Sequence, residues 1–175
     1  MASPENILLH LPEDQEQQVL DVFARLEDLG FPRQQQRPHI TITFARSMTQ
    51  SVVERAAELL PSLVPATFRR VGTVVFGRQR KQTVAWLLET SDELEIAARK
   101  ISAANPDGRG SRWIPHLTVG LRLPREIIPE YIRALDDVIA TQLTELTAVR
   151  AALWRPQQQE LTILAGDNTS TSIRD

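Results

Sequence analysis

The sequence predicts an α+β protein built as two similar α/β lobes around a shared groove. Three observations carry this expectation. Alternating apolar runs and stretches with three- and four-residue apolar spacing follow one another as strand, helix, strand, helix, strand, and then the order begins again. A shift of 77 carries Pro38, His39 and Thr41 onto Pro115, His116 and Thr118, and lays residues 7–11 on 84–88. A shift of 78 lays residues 71–76 on 149–154, both ending in an aromatic residue. Nearly the whole chain is therefore two copies, read as an internal duplication with an approximate two-fold axis. The expected organisation is one domain over 1–166, with halves at about 5–82 and 83–166, and a flexible tail over 167–175. At 175 residues one domain with a good core is the natural size. The period is too long and the copies too few for a solenoid.

Taken in order, residues 7–11 are a short apolar run expected to be a buried strand, ended by Pro12. From Glu13 to Leu29, Val19, Val22, Phe23, Leu26 and Leu29 recur at helical spacing, and Gly30 and Pro32 stop the helix. A Gln-rich loop leads to the first His strand, residues 38–44. Ser51-Val52-Val53-Glu54 resembles a capping box and starts a helix that runs to Leu60 before Pro61. Two strands follow at 67–76 and 83–89, joined by Gly77-Arg78-Gln79-Arg80-Lys81. Thr90-Ser91-Asp92-Glu93 caps a third helix that runs to Ala104, and Asn105-Pro106-Asp107-Gly108 marks a turn. The second His strand is 115–121. A fourth helix is expected over 124–141, with Pro129 tolerated near its first turn. Strands at 147–154 and 160–165 complete the fold.

The chemistry concentrates in the two His strands. Strand side chains alternate between faces, so Ile40, Ile42 and Phe44 form one apolar row, and Leu117, Val119 and Leu121 another. The opposite row presents His39 with Thr41, and His116 with Thr118. Two imidazoles and two hydroxyls thus face the same way in a chain with only three histidines. Histidine titrates near neutrality, so one of a pair can accept a proton while the other donates one. Strand-held hydroxyls can meet charge that develops in a transition state. Thr43 shares the His row, but its counterpart is Gly120, so a local role is expected. His10 lies in an apolar strand and aligns with Leu87, so a core or edge position is expected for it.

Composition excludes several classes. Apolar residues at 42% and charged residues at 24% are ordinary for a globular protein. A net charge of −2 argues against a general nucleic-acid coating protein. With no cysteine there is no disulfide framework, thiolate nucleophile or cysteine-based zinc site. Two histidines without a nearby carboxylate or cysteine make a poor zinc site, so no metal and no cofactor are expected. There is no signal-peptide pattern and no apolar run long enough to span a bilayer, so the cytosol is the expected compartment.

Two His-x-Thr-x motifs in strands of a small duplicated chain resemble the 2H phosphoesterase superfamily. Within it the chain is most similar to the bacterial 2′-5′ RNA ligase, or RNA 2′,3′-cyclic phosphodiesterase, family. Arg112-Trp113-Ile114-Pro115 before the second motif, Val71-Gly72 with Phe76, and Val84-Ala85-Trp86-Leu87 match as well. The resemblance covers residues from about 7 to 165. It implies antiparallel sheets lining a central groove with helices outside, His39 and His116 as catalytic residues, and Thr41 and Thr118 as phosphate-binding residues. It implies opening of 2′,3′-cyclic phosphates on RNA ends or small nucleotides, with reversible 2′-5′ ligation as a companion activity. The expected partner is RNA or a small cyclic nucleotide, with no membrane and no obligate protein partner, the chain acting as a monomer. Two alternatives stand beside it: a non-catalytic module that binds RNA ends, and a phosphodiesterase of the same fold acting on another cyclic phosphate or a 2′-5′ linkage. The family usually gives the first histidine to the leaving oxygen and the second to the nucleophile; near-symmetry leaves that assignment open here.

Arg78, Arg80 and Lys81 in the turn after residue 76 are candidate RNA-backbone contacts, with Arg69 and Arg70 on the strand before it. The corresponding turn of the second half, Arg155-Pro156-Gln157-Gln158-Gln159, is far less basic. Arg112 is a further candidate RNA contact, matching a position often basic in the family. Core packing is expected for Trp86 and Trp154, with Trp113 left open between core and base stacking.

Overall fold

Among the described residues the β-branched and apolar runs form eight strands: β1 Glu5–His10, β2 His39–Ala45, β3 Ala66–Phe76, β4 Lys81–Glu89, β5 His116–Pro124, β6 Glu145–Ala148, β7 Arg150–Arg155 and β8 Glu160–Gly166. In the computed structural model, residues 3–139 and 141–166 are described, without the side chains of Thr141 and Gln142. The expected C-terminal tail, 167–175, lies outside the described residues. All strand pairs are antiparallel, in one sheet of order β6-β3-β4-β5-β2-β1-β7-β8. Its two four-stranded wings meet at the His strands, where β2 and β5 share a single paired position, Ile40 opposite Leu117. The gap beside that pair is stitched by side chains. Trp113 Nε1 donates to the Thr41 carbonyl at 2.9 Å, and the Leu121 N–H donates to Gln34 Oε1 at 2.7 Å.

Outward from this junction the wings run β5-β4-β3-β6 and β2-β1-β7-β8. The shifts of 77 and 78 relate β2 to β5, β1 to β4, and β3 to β7. Each wing therefore takes strands from both sequence halves, since β3 packs beside β4 and β7 beside β1. The matching order supports the duplication, which we propose as the origin of the fold.

Four helices, α1 Glu13–Asp28, α2 Gln50–Leu59, α3 Asp92–Ala104 and α4 Ile128–Val138, cover one face of the sheet. Their apolar stripes meet Ile7, Leu9, Ile40, Ile42, Trp86, Leu117, Val119 and Leu153 in one core. Each large side chain so buried contributes about 1.5–3 kcal/mol. The opposite face is left for the His-Thr rows. Ser91 caps α3, its Oγ accepting from the Leu94 N–H at 3.3 Å.

Several boundaries differ from expectation. The proposed box at Ser51 is not the start of α2; Thr49 precedes the first turn, and Ser51 lies inside the helix. The fourth helix begins with a 3₁₀ turn, Arg125–Ile127, and α4 ends at Val138. The single strand expected over 147–154 is two strands. Ala148 closes β6 opposite Ala66, and Arg150 opens β7 opposite His10. Only Val149 separates them, its N–H donating to the His10 carbonyl at 2.9 Å. Two Cα atoms that close, at most about 7 Å apart, require the outer strand of one wing to touch the other wing. The sheet is bent to meet itself at this corner.

Matched β-bulges reset the alternation of both His strands. Ile7 and Leu8 face Thr43 and Thr41, leaving Ile42 as the extra residue, and Val84 and Ala85 face Gly120 and Thr118, leaving Val119. A bulge adds one residue to one strand and so reverses the facing beyond it. Phe44 and Leu121, expected in the apolar rows, are instead 55% and 45% exposed. Thr43, expected in the His row, turns inward and accepts from Asn105 Nδ2 at 2.8 Å. In the other copy that place is Gly120, where Tyr131 fills the room a side chain would need and donates to the Val119 carbonyl.

Candidate active site

His39 and His116 are the first residues of β2 and β5, each preceded by a buried proline. Each ring lies against the carbonyl two residues upstream: His39 Nδ1 to Arg37 O and His116 Nδ1 to Ile114 O, both at 2.7 Å. A carbonyl oxygen only accepts, so Nδ1 must carry the proton in both rings. Nε2 is then the working nitrogen, a base when the ring is neutral and a donor when it is charged. Thr41 and Thr118 follow at the third position of each strand, before the bulges, on the same face and partly exposed. Two Nε2 atoms and two hydroxyls are thus presented at the strand pair where the wings part.

Burial lowers the pKa of both rings below the usual 6.5, and the carbonyl bonds oppose that shift. The charge of Arg37 lowers His39 further, and that of His39 lowers His116, so the two rings sense each other. The pair thus favours at most one proton on the two working nitrogens at neutral pH.

The two copies have unequal neighbours. Opposite His116 on the adjacent strand is Leu87, and the Phe76 ring lies 4.7 Å from the imidazole, centroid to centroid. Opposite His39 is His10, and opposite His10 is Arg150. Arg150 Nε donates to His10 Nδ1 at 3.3 Å, which fixes His10 as the tautomer protonated at Nε2. His10 is buried, as expected, but on the face of the catalytic row rather than in the helix-covered core. Its pKa falls to about 3, first through burial and then through the charges of Arg37, Arg150 and His39.

A stability consequence follows. His10 stays neutral when folded but takes a proton below about pH 6.5 when unfolded. Folding stability is therefore lost as pH falls from there toward 3, by about 1 kcal/mol per pH unit. His10→Leu is expected to flatten this acid limb, read as urea midpoints at pH 7.5, 5.5 and 4.5.

The remaining candidates are spread out. Arg112 is exposed in the segment before β5, while Arg78, Arg80 and Lys81 cluster at the exposed turn between β3 and β4. Arg69 and Arg70 do not join that cluster. Arg69 pairs with Glu89 at 2.7 Å, and the Arg70 guanidinium lies 5.2 Å from the ring centre of core residue Trp86. Trp113 packs on the core. Trp154, expected in the core, is half-buried on the His face, opposite Asn6, because Leu153 takes the inward position. Phe76 and the His10–Arg150 contact were not assigned from sequence. Phe76 stood among the residues that carry the family resemblance and is the counterpart of Trp154; His10 had only its place as the counterpart of Leu87. Among the described residues, no group of three or more His, Cys, Asp or Glu side chains is placed to hold a metal ion. No helix among them is long and apolar enough to cross a membrane.

The family model described as the 2′-5′ RNA ligase superfamily matches residues 12–160. Among solved structures the chain is similar to Kluyveromyces marxianus Usb1, at 12% identity and a TM-score of 0.52, covering 92% of this chain and 97% of that one. A structure of Kluyveromyces marxianus Usb1 with uridine monophosphate matches at 13% identity and a TM-score of 0.49, with the same coverage. The first of these shows a shared fold. No curated protein sequence matches the chain.

Proposed function

This chain belongs to the 2′-5′ RNA ligase superfamily, and on that premise we propose that it opens 2′,3′-cyclic phosphate ends of RNA or nucleotides by metal-independent two-histidine acid–base catalysis. The observation that carries the reading is the twin arrangement at His39 and His116. Each ring has its Nδ1 proton committed to a backbone carbonyl, leaving Nε2 as the working nitrogen in both, on the strand face that carries Thr41 and Thr118.

In the forward reaction one neutral imidazole takes a proton from water as the water oxygen bonds to phosphorus. The bond from phosphorus to one ribose oxygen breaks, and the second imidazole, protonated, gives its proton to that oxygen. The product is a phosphomonoester beside a free hydroxyl, and the two rings have exchanged protonation states. Thr41 and Thr118 hydroxyls donate to the non-bridging oxygens, where charge concentrates. With a 5′-hydroxyl in place of water, the same two proton transfers join a 2′-5′ linkage: the base takes the 5′-hydroxyl proton, the bond from phosphorus to the 3′ oxygen breaks, and the acid protonates that oxygen.

The test is hydrolysis of a nucleoside 2′,3′-cyclic phosphate in EDTA across pH. Turnover with a bell-shaped profile is expected, displaced below pH 6.5 because both rings have lowered pKa values. A folded protein that binds an RNA end without turning it over would identify a binding module instead. Thr41→Ala and Thr118→Ala are expected to lower kcat by about 10²-fold each, the low end for loss of one transition-state donor.

A further inference from the structure

The surface between the β3–β4 turn and the end of β5 sets four cations against one acid. Arg80, Lys81, Arg122 and Arg125 line one depression of about 740 Å³, with Gln79 and Glu126. The Arg125 N–H donates to the Arg80 carbonyl at 2.9 Å, and Lys81 pairs with Pro124, so the two segments form one surface. Among the described residues none of these four cations enters an ion pair, and Glu126 is the one acid in the lining. Arg122 is also held at φ 53°, in the left-handed region that costs a non-glycine residue about 1–2 kcal/mol. Strain of this kind gathers at binding and catalytic positions.

The corresponding turn of the other wing is different. Its arginine, Arg155, is matched by Glu160 at 3.3 Å and Glu5 at 3.7 Å, and glutamines follow it. Of the two corresponding turns, only the β3–β4 turn therefore carries unmatched charge. That turn adjoins the catalytic pair, because Phe76, whose ring lies on His116, is the last residue before it. Leu121, exposed on the face of the His row, immediately precedes Arg122.

We propose that this depression binds the phosphates upstream of the reacting end, so that the substrate is an RNA strand and not a mononucleotide. The proposal rests on reading the paired histidines as a phosphoesterase site. A 2′,3′-cyclic phosphate is by its chemistry the 3′ terminus of a chain, so every other phosphate lies on its 5′ side and leaves the site in one direction. A one-sided cationic surface fits that polarity, and each phosphate contact contributes through counterion release.

The experiment compares kcat/KM for a short oligoribonucleotide ending in a 2′,3′-cyclic phosphate and for a nucleoside 2′,3′-cyclic phosphate, in wild type and in Arg122→Gln/Arg125→Gln, over a KCl series. The wild type is expected to prefer the oligonucleotide. The variant should lose at least tenfold on it, mainly in KM, with turnover of the nucleotide unchanged. The negative slope of log(kcat/KM) against log[KCl] should become shallower by about 0.7 for each cation removed. Arg122→Gly removes one cation while relieving the left-handed strain, and an unchanged thermal melt of this variant separates loss of charge from loss of fold. Equal loss on both substrates, or no loss on the oligonucleotide, overturns the proposal. If the wild type turns over neither substrate, the phosphoesterase reading fails and the surface is judged by fluorescence anisotropy with the same oligonucleotide. Salt-dependent binding weakened in the variants then upholds it, and unchanged binding overturns it.

Discussion

His39→Ala and His116→Ala are each expected to lower kcat/KM on a 2′,3′-cyclic substrate by about 10²–10⁴-fold while leaving the protein folded. Each ring is the terminal residue of its strand, partly exposed, and bonded to the protein through one carbonyl. Removing it costs one hydrogen bond, about 0.5–1.5 kcal/mol. It removes the proton carrier that the mechanism assigns to its side of the phosphate. The double variant should fall little below the worse single one, because acid and base act on the same step and their effects do not add. The readout is steady-state kinetics beside circular dichroism and thermal melting of each variant. Full activity in either single variant would end the two-histidine mechanism.

Gly120→Val is expected to destabilise the fold by about 1–3 kcal/mol through overpacking and to weaken turnover with it. A Cβ at this position would stand 2.6 Å from Leu123 Cδ1 and 2.7 Å from the Tyr131 ring. Both neighbours are fully buried, and Tyr131 is further held by its bond to the Val119 carbonyl, so neither can yield cheaply. The bulge that Gly120 completes also sets the facing of Thr118 two residues earlier. Urea unfolding gives the stability loss, and kcat on the cyclic nucleotide gives the effect on the site. In the other copy the same place accommodates a side chain, because Thr43 finds a donor in Asn105.

That pair of positions shows what the sequence could and could not disclose. The His-Thr rows were legible because alternation needs only local spacing, and the helices because their apolar stripes and the Ser91 cap are local too. Phe44 and Leu121 were misplaced because a bulge is defined by the partner strand, and one extra residue turns everything beyond it over. The break at Val149 and the exchange of β3 and β7 between wings are likewise properties of pairing, which a single sequence does not record. His10 and Phe76 reach the catalytic rings across strands for the same reason. Burial of His10 was expected from its apolar neighbours; the face it is buried on was not.

The most direct measurement follows an end-labelled oligoribonucleotide 2′,3′-cyclic phosphate, in EDTA, with wild type and with His39→Ala/His116→Ala, and identifies the product end group. Conversion to a single phosphomonoester isomer by the wild type, and conversion at least about 10²-fold slower by the double variant, is the predicted result, the isomer naming the leaving oxygen. Conversion at the wild-type rate in the double variant, or conversion that vanishes from the wild type when metal is chelated, would contradict it.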